Sequence, residues 1–266
     1  MKLSGKVAIV TGTSPNIGGG IAGGLAAEGA LVACVDVAGD NARQCAEWIT
    51  GRGDEALAVA CDVTDETQVE AMVARVREAW GGVDVLVNNA GVLGGLGVLD
   101  MPLDRWNRQL AVNLTGTFLC TRHVARLMVE RGTRGSIIVI GSTAGHQGQA
   151  GNIGYCTSKS GLLNFVRAAA MDLARHGIRV NSLTPTATDT QEGVERAVAW
   201  GRPRPERPGR TLDFQGMIPM GRLPSPRHYA SAAVFLASDD AEMITGLDLR
   251  VDAGAVAKYW PWVPQA

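Results

Sequence analysis

Seven short apolar runs alternate with long helical patterns along most of this chain, and that rhythm narrows the fold more than any single motif does. The runs are KVAIVT (6–11), ALVACVD (30–36), ALAVACD (56–62), VDVLVN (83–88), GSIIVIG (135–141), IRVNSL (178–183) and LDLRVD (247–252). They are continuously apolar, as strands of a parallel sheet covered on both faces should be. Amphipathic patterns lie between them near 17–28, 40–52 and 66–80, the last with Val69, Met72, Val73, Val76 and Trp80 on one face. Longer patterns cover about 104–131 and 154–176, the second closed by His176-Gly177. Such alternation predicts an α/β fold, a doubly wound seven-stranded parallel sheet with helices on both faces. No linker-like composition or internal repeat divides the chain, so one domain over 1–266 is expected. The rhythm breaks once. From Thr186 to about Leu223 no strand appears, and WGRPRPERPGR is dense in proline and arginine. A structureless stretch of that length is a functional lid (186–223) or a disordered loop.

Bulk properties exclude several classes. The 25 basic and 26 acidic residues nearly cancel, and no basic stripe points to nucleic acid. MKLSGKVAIV is not a signal peptide, and no run approaches the roughly 18 apolar residues of a bilayer span. A cytoplasmic protein without a membrane partner is expected. The five cysteines, Cys34, Cys45, Cys61, Cys120 and Cys156, are scattered and form no C-x-x-C. They read as buried free thiols, with neither a metal site nor a disulfide framework.

The segment TGTSPNIGGG (11–20) carries the strongest local chemistry. Gly18, Gly20 and Gly23 match G-x-G-x-x-G, but that match starts too late and would place the turn inside a helix. Thr11 closes the first strand, so the turn begins at Gly12. Ile17-Gly18 then opens a helix whose first N–H groups can hold a pyrophosphate. The remaining glycines are expected to let that helix approach the sheet closely. Asp36 ends the second strand, where a carboxylate accepts from a ribose 2′-OH and repels a 2′-phosphate, favouring NAD over NADP. Asp62-Val63 offers one side-chain and one backbone contact to an adenine. Asn88-Asn89-Ala90-Gly91 ends the fourth strand, where such folds bind ligands beyond the carboxyl ends of their strands. These features make the expected fold Rossmann-type.

Tyr155 and Lys159, in YCTSK, share one face of the 154–176 helix. A phenol has a free pKa near ~10; a neighbouring ammonium, an oxidised nicotinamide and the helix N-terminus all favour the phenolate. Tyr155 is therefore a candidate general acid/base. Ser142 follows the fifth strand, where its hydroxyl can bond a reacting oxygen. Asn113 sits inside a long helical pattern, a poor place for Asn unless the helix is interrupted near the site.

Over nearly its whole length the sequence resembles the short-chain dehydrogenase/reductase family. The resemblance rests on Thr11, Gly12 and Gly18, Asp62, Asn88 to Gly91, Asn113, Ser142, and Tyr155 with Lys159, in matching order and spacing. It implies hydride transfer between a nicotinamide and a secondary alcohol or ketone, and commonly a homotetramer. Tyr155 would be the acid/base and Ser142 would orient the carbonyl oxygen. Lys159 would lower the tyrosine pKa and bind the nicotinamide ribose, and Asn113 would hold a relay water. Gly12, Ser14, Asn16, Ile17, Gly18, Asp36, Asp62, Val63, Asn89, Ala90 and Gly91 are the cofactor candidates of the first half. In the second half they are Tyr155, Lys159 and Pro185, with Thr188 and Thr190 contacting the carboxamide end. Two departures stand out. Asn16 replaces the usual middle glycine, where its tolerance of left-handed backbone should preserve the turn, and Thr186 follows Pro185 where glycine is usual.

Substrate choice is expected from the lid, from GVLGGLGVLD (91–100) and from residues after Ser142. The tail at 255–266 adds Tyr259, Trp260 and Trp262, for a pocket or an oligomer interface. Arg202, Arg204, Arg207 and Arg210 fit either an anionic substrate group or a solvated loop. The favoured substrate is a hydrophobic secondary alcohol or ketone, cyclic ones included. Two other readings stay open: an NADPH-dependent 3-oxoacyl thioester reductase, against which Asp36 counts, and a dinucleotide-binding regulator without turnover.

Overall fold

The computed structural model describes residues 1–204 and 216–258. All seven apolar runs form strands: β1 Val7–Thr11, β2 Leu31–Asp36, β3 Ala56–Ala60, β4 Val85–Asn88, β5 Ser136–Ile140, β6 Arg179–Pro185 and β7 Asp248–Val251. They make one parallel sheet in the order β3-β2-β1-β4-β5-β6-β7. β1 pairs with β2 from Val7↔Leu31 and with β4 from Ala8↔Val85, so strand order reverses between β1 and β4. The carboxyl ends of those two strands frame the crevice that such a reversal opens.

The helices are α1 Ile17–Ala27, α2 Gly39–Thr50, α3 Glu66–Trp80, α4 Leu103–Leu110, α5 Gly116–Arg131, α6 Ile153–Ala174, α7 Gln191–Ala199 and α8 Pro226–Ala237. Alternate residues of each strand serve opposite faces. Val7 and Ile9 join a core with Val69 and Met72 of α3, Val124 and Met128 of α5, and Leu162 and Val166 of α6. Ala8 and Val10 join the other, with Ile21 and Leu25 of α1, Ile49 of α2, and Tyr229 and Leu236 of α8.

Three expectations need correction. The long pattern over 104–131 is two helices joined by a π-helical turn at Ala111–Thr115, and Asn113 lies in that turn. The 186–223 stretch is not wholly structureless, since α7 lies inside it, and α8 was not anticipated at all. Its start was legible: Ser225-Pro226 is a cap followed by proline at the first helical position, and Ser225 N–H donates to His228 Nδ1 at 2.9 Å. Lastly, the glycines of α1 bring it against helices, not the sheet. A Cβ on Gly20 would lie 2.7 Å from Pro226 Cβ, and one on Gly24 2.7 Å from Ala230 Cβ. One on Gly23 would lie 2.4 Å from the Trp48 ring.

Candidate active site

The crevice between β1 and β4 is knitted by main-chain contacts that only small residues allow. Gly12 has φ +71°, and a Cβ there would meet Ala90 Cα at 2.8 Å. On Gly18 a Cβ would lie 2.1 Å from the Gly12 carbonyl oxygen. Thr11 Oγ1 accepts from the N–H groups of Asn89 and Ala90, both at 3.1 Å. Asn89 Nδ2 donates to the carbonyls of Thr11 (3.0 Å) and Gly12 (2.8 Å), fastening the turn to the end of β4. Asn16 has φ −84°, so this position does not use the left-handed region, and the tolerance argued for asparagine is not what preserves the turn.

A cavity of about 310 Å³ opens there, lined by Gly12, Ser14, Asn16, Ile17, Gly18, Asp36, Asp62, Val63, Asn89, Ala90 and Gly91. Sequence reasoning missed Val35, Val37, Cys61, Val92, Arg108 and Val112 on the same walls. Asp36 is buried, its Oδ1 accepting from Ala38 N–H at 2.9 Å. Burial acts to raise the Asp62 carboxyl, but the Thr64 N–H and hydroxyl, with Arg108, hold it below its ordinary value.

Ser142, at the end of β5, and Tyr155, in the first turn of α6, meet at the wall of a second cavity of about 540 Å³. Leu93, Thr143, Ala144, Gln147, Gln149, Thr186, Met217, Ile218, Ala255 and Lys258 also line it. The loop after Ser142 is anchored from behind. His146 Nε2 lies 2.9 Å from Asp248 Oδ2, and Asp248 Oδ1 accepts from Ser182 and Thr184, each at 2.6 Å. Lys159 is buried, with Nζ donating to the Ile140 carbonyl at 2.7 Å and lying 5.7 Å from the Tyr155 ring centroid. A Cβ on Gly91 would lie 3.8 Å from that Nζ, so the lysine, which lines neither cavity, stands between Gly91 on the wall of one and Tyr155 on the wall of the other.

Other expected residues are placed differently. Asn113 Oδ1 accepts from Val92 N–H (2.8 Å), while Nδ2 donates to the Val92 carbonyl (3.0 Å) and to Ser158 Oγ (2.9 Å). Both amide hydrogens are thus used within the chain, and the side chain binds loop to helix. Thr188 bonds the Thr186 carbonyl and the Tyr229 hydroxyl, both at 3.1 Å. Thr190 precedes α7, Pro185 ends β6, and none of these three lines either cavity. Arg202 turns to Gln44 and Asn41 of α2, far in sequence from the substrate wall. Arg207, Arg210, Tyr259, Trp260 and Trp262 lie outside the described residues. Glu66, Glu70 and His123 bring three potential metal ligands together, but the Arg122 guanidinium already pairs with Glu66 there.

A family model described as "Enoyl-(Acyl carrier protein) reductase" matches residues 12–256. The D-threitol dehydrogenase of Mycolicibacterium smegmatis is 37% identical over 97% of this chain and 95% of its own length. The chain belongs to the short-chain dehydrogenase/reductase family. Another relative in this family, the mitochondrial (-)-isopiperitenol/(-)-carveol dehydrogenase of Mentha piperita, is 39% identical, covering 95% of this chain and 94% of its own. A solved short-chain dehydrogenase/reductase from Mycobacterium marinum superposes with a TM-score of 0.85 at 34% identity, covering 97% of both chains.

Membership of the short-chain dehydrogenase/reductase family makes the chain an oxidoreductase and implies a nicotinamide dinucleotide. The residues present fit that group: the Gly12–Gly18 cradle is one that a single Cβ would fill. No helix among the described residues is long and apolar enough to cross a membrane.

The electrostatics differ from the expectation in one respect. Burial holds the Tyr155 phenol above its ordinary value, opposed by a hydrogen bond from Ser142, and burial pushes Lys159 down to about 8. Positive charge added beside the ring favours the phenolate, so saturating NAD⁺ is expected to lower the Tyr155 pKa, and NADH to lower it less. Ultraviolet difference titration, with Tyr155→Phe as the blank, checks the direction; equal pKa values with and without NAD⁺ would reject it.

Proposed function

We propose that the chain is an NAD-dependent dehydrogenase of secondary alcohols, or reductase of the matching ketones. One observation carries the reading: Ser142 and Tyr155 share a cavity wall, and the Lys159 ammonium lies between the Tyr155 ring and Gly91 of the glycine-lined cavity. Ser142 Oγ orients the reacting oxygen. In the oxidative direction the Tyr155 phenolate takes the alcohol's proton, and in the reductive direction the phenol returns it. Lys159 supports the phenolate by its charge and binds the nicotinamide ribose, while Asn113 fixes the loop and helix that aim Tyr155. The dinucleotide, when bound, supplies the hydride acceptor or donor. Gly12, Ser14, Asn16, Ile17 and Gly18 would hold its pyrophosphate, Asp36 its adenosine ribose, Asp62 and Val63 its adenine. Asn89, Ala90 and Gly91 would flank it.

Leu93, Met217, Ile218 and Ala187 support a hydrophobic substrate, while Gln147 and Gln149 leave room for a second polar group. The relatives named for threitol and carveol agree with an alcohol. We further infer one domain over 1–266, a cytoplasmic protein and a homotetramer. The apolar groove between α5 and α6, with Phe118, Val129, Phe165 and Leu173, supports association.

Purified protein assayed with NAD and NADP on cyclic, aromatic and acyl secondary alcohols should form NADH. Turnover only with NADPH and 3-oxoacyl thioesters would transfer the assignment to the thioester reductase, and binding without turnover to the regulator. Asp36→Ala removes a charge-assisted hydrogen bond, typically ~1.5–3 kcal/mol. The NAD/NADP ratio of kcat/KM should fall at least about tenfold. An unchanged ratio would dismiss its role in cofactor choice.

A further inference from the structure

The segment expected to lid the substrate rests its helix on the phosphate turn. Arg196 of α7 donates from Nη1 to the carbonyls of Pro15 (2.5 Å) and Asn16 (3.2 Å). Its guanidinium carbon lies 5.1 Å from the Trp48 ring centroid. One turn earlier, Gly193 is so close to the phosphate turn that a Cβ there would be 3.1 Å from Asn16 Oδ1 and 3.2 Å from Asn16 Cα. A Cβ on Gly19 would lie 3.2 Å from the Trp200 ring. Gln44 Nε2 of α2 donates to the Trp200 carbonyl at 3.1 Å. The lid helix is thus seated on the cofactor half.

The peptide groups whose carbonyls accept from Arg196 carry the N–H groups of Asn16 and Ile17, two residues on the wall of the dinucleotide cavity at the start of α1. Hydrogen bonds on the two sides of a peptide polarise one another. An anion taken up by those N–H groups strengthens the carbonyls as acceptors for Arg196, and Arg196 strengthens the N–H groups as donors. The seat also contains three buried polar atoms with no partner among the described residues: Asn16 Oδ1, Arg196 Nε and Trp200 Nε1. Such atoms oppose docking, which leaves the balance open to what occupies the turn.

We propose that Arg196 is a positioning residue through which the pyrophosphate of a bound dinucleotide and the seated α7 stabilise each other. The inference rests on the dinucleotide site described above, and the coupling must act equally in both directions.

Arg196→Met keeps an aliphatic stem over Trp48 and removes the donors. Fluorescence titration with NADH should show its Kd raised about tenfold over wild type, within the usual span of such couplings. Hydrogen exchange supplies a readout that a merely structural role would not move. Saturating NADH should slow the amides of 191–199 at least about fivefold in wild type and leave them unchanged in the variant. Arg196→Lys should recover part of both effects. Gly193→Ala presses on Asn16, and adding Asn16→Gly should restore part of the lost affinity. An unchanged Kd in Arg196→Met, or equal protection of α7 in both proteins, overturns the coupling alone. Wild-type protein that binds neither NADH nor NADPH overturns the coupling and the dinucleotide reading together.

Discussion

Tyr155→Phe is expected to lower kcat by about 10²–10⁴-fold, the usual weight of a general acid/base, while NADH still binds. The substitution removes one oxygen and leaves the ring that fills the wall beside Ser142, so the cavity keeps its shape. Ser142 Oγ accepts from the Ala144 N–H at 3.1 Å, a bond that does not involve the phenol, so it stays in place. Because Lys159 is held by the Ile140 carbonyl and not by the phenol, its position survives as well. Steady-state turnover and NADH titration on the same preparation separate chemistry from binding. Turnover within a few-fold of wild type would remove Tyr155 as the proton carrier.

Gly18→Ala should act as strongly on binding. Its Cβ would fall 2.1 Å from the Gly12 carbonyl oxygen and 2.6 Å from Asn89 Nδ2, both parts of the cradle's own fastening. Backbone has to move, and overpacking of this kind costs ~1–3 kcal/mol, with the turn displaced from any pyrophosphate. NADH affinity is expected to fall at least about tenfold, with a lowered Tm. Gly97→Ala is the control: a Cβ there meets nothing within 4 Å, and both quantities should be unchanged. If Gly18→Ala binds NADH like wild type, the working turn is not the one that starts at Gly12.

The parallel sheet was legible because its five inner strands are buried along nearly their whole length and leave continuous apolar runs, a signal carried by local composition alone, while the edge strands β3 and β7 are only partly covered. The crevice lining was legible because Gly12, Asp36, Asp62 and Asn89 all sit at strand ends, and a strand end is a local feature. What the sequence hid depends on contacts between distant segments. The seating of α7 on Pro15 and Asn16 joins residues about 180 apart, and nothing in QEGVERAVA announces that partner. Asn113 suggested an interrupted helix, and a π turn is there, but its amide partners, Val92 and Ser158, lie on other elements. The charges beside Tyr155 could be read from the sequence, whereas the burial that opposes the phenolate could not.

The glycine face of α1 has a consequence for exchanging parts between relatives. Gly20 and Gly24 set the distance from the cradle's helix to Pro226 and Ala230, residues that lie beyond the lid in the chain. The lid and the cradle therefore share a boundary at Ser225. A graft that imports a foreign lid together with its following helix also imports a new wall for α1, and the dinucleotide site moves with it. A graft that stops before Ser225 leaves that wall native and confines the exchange to the substrate side and the α7 seat.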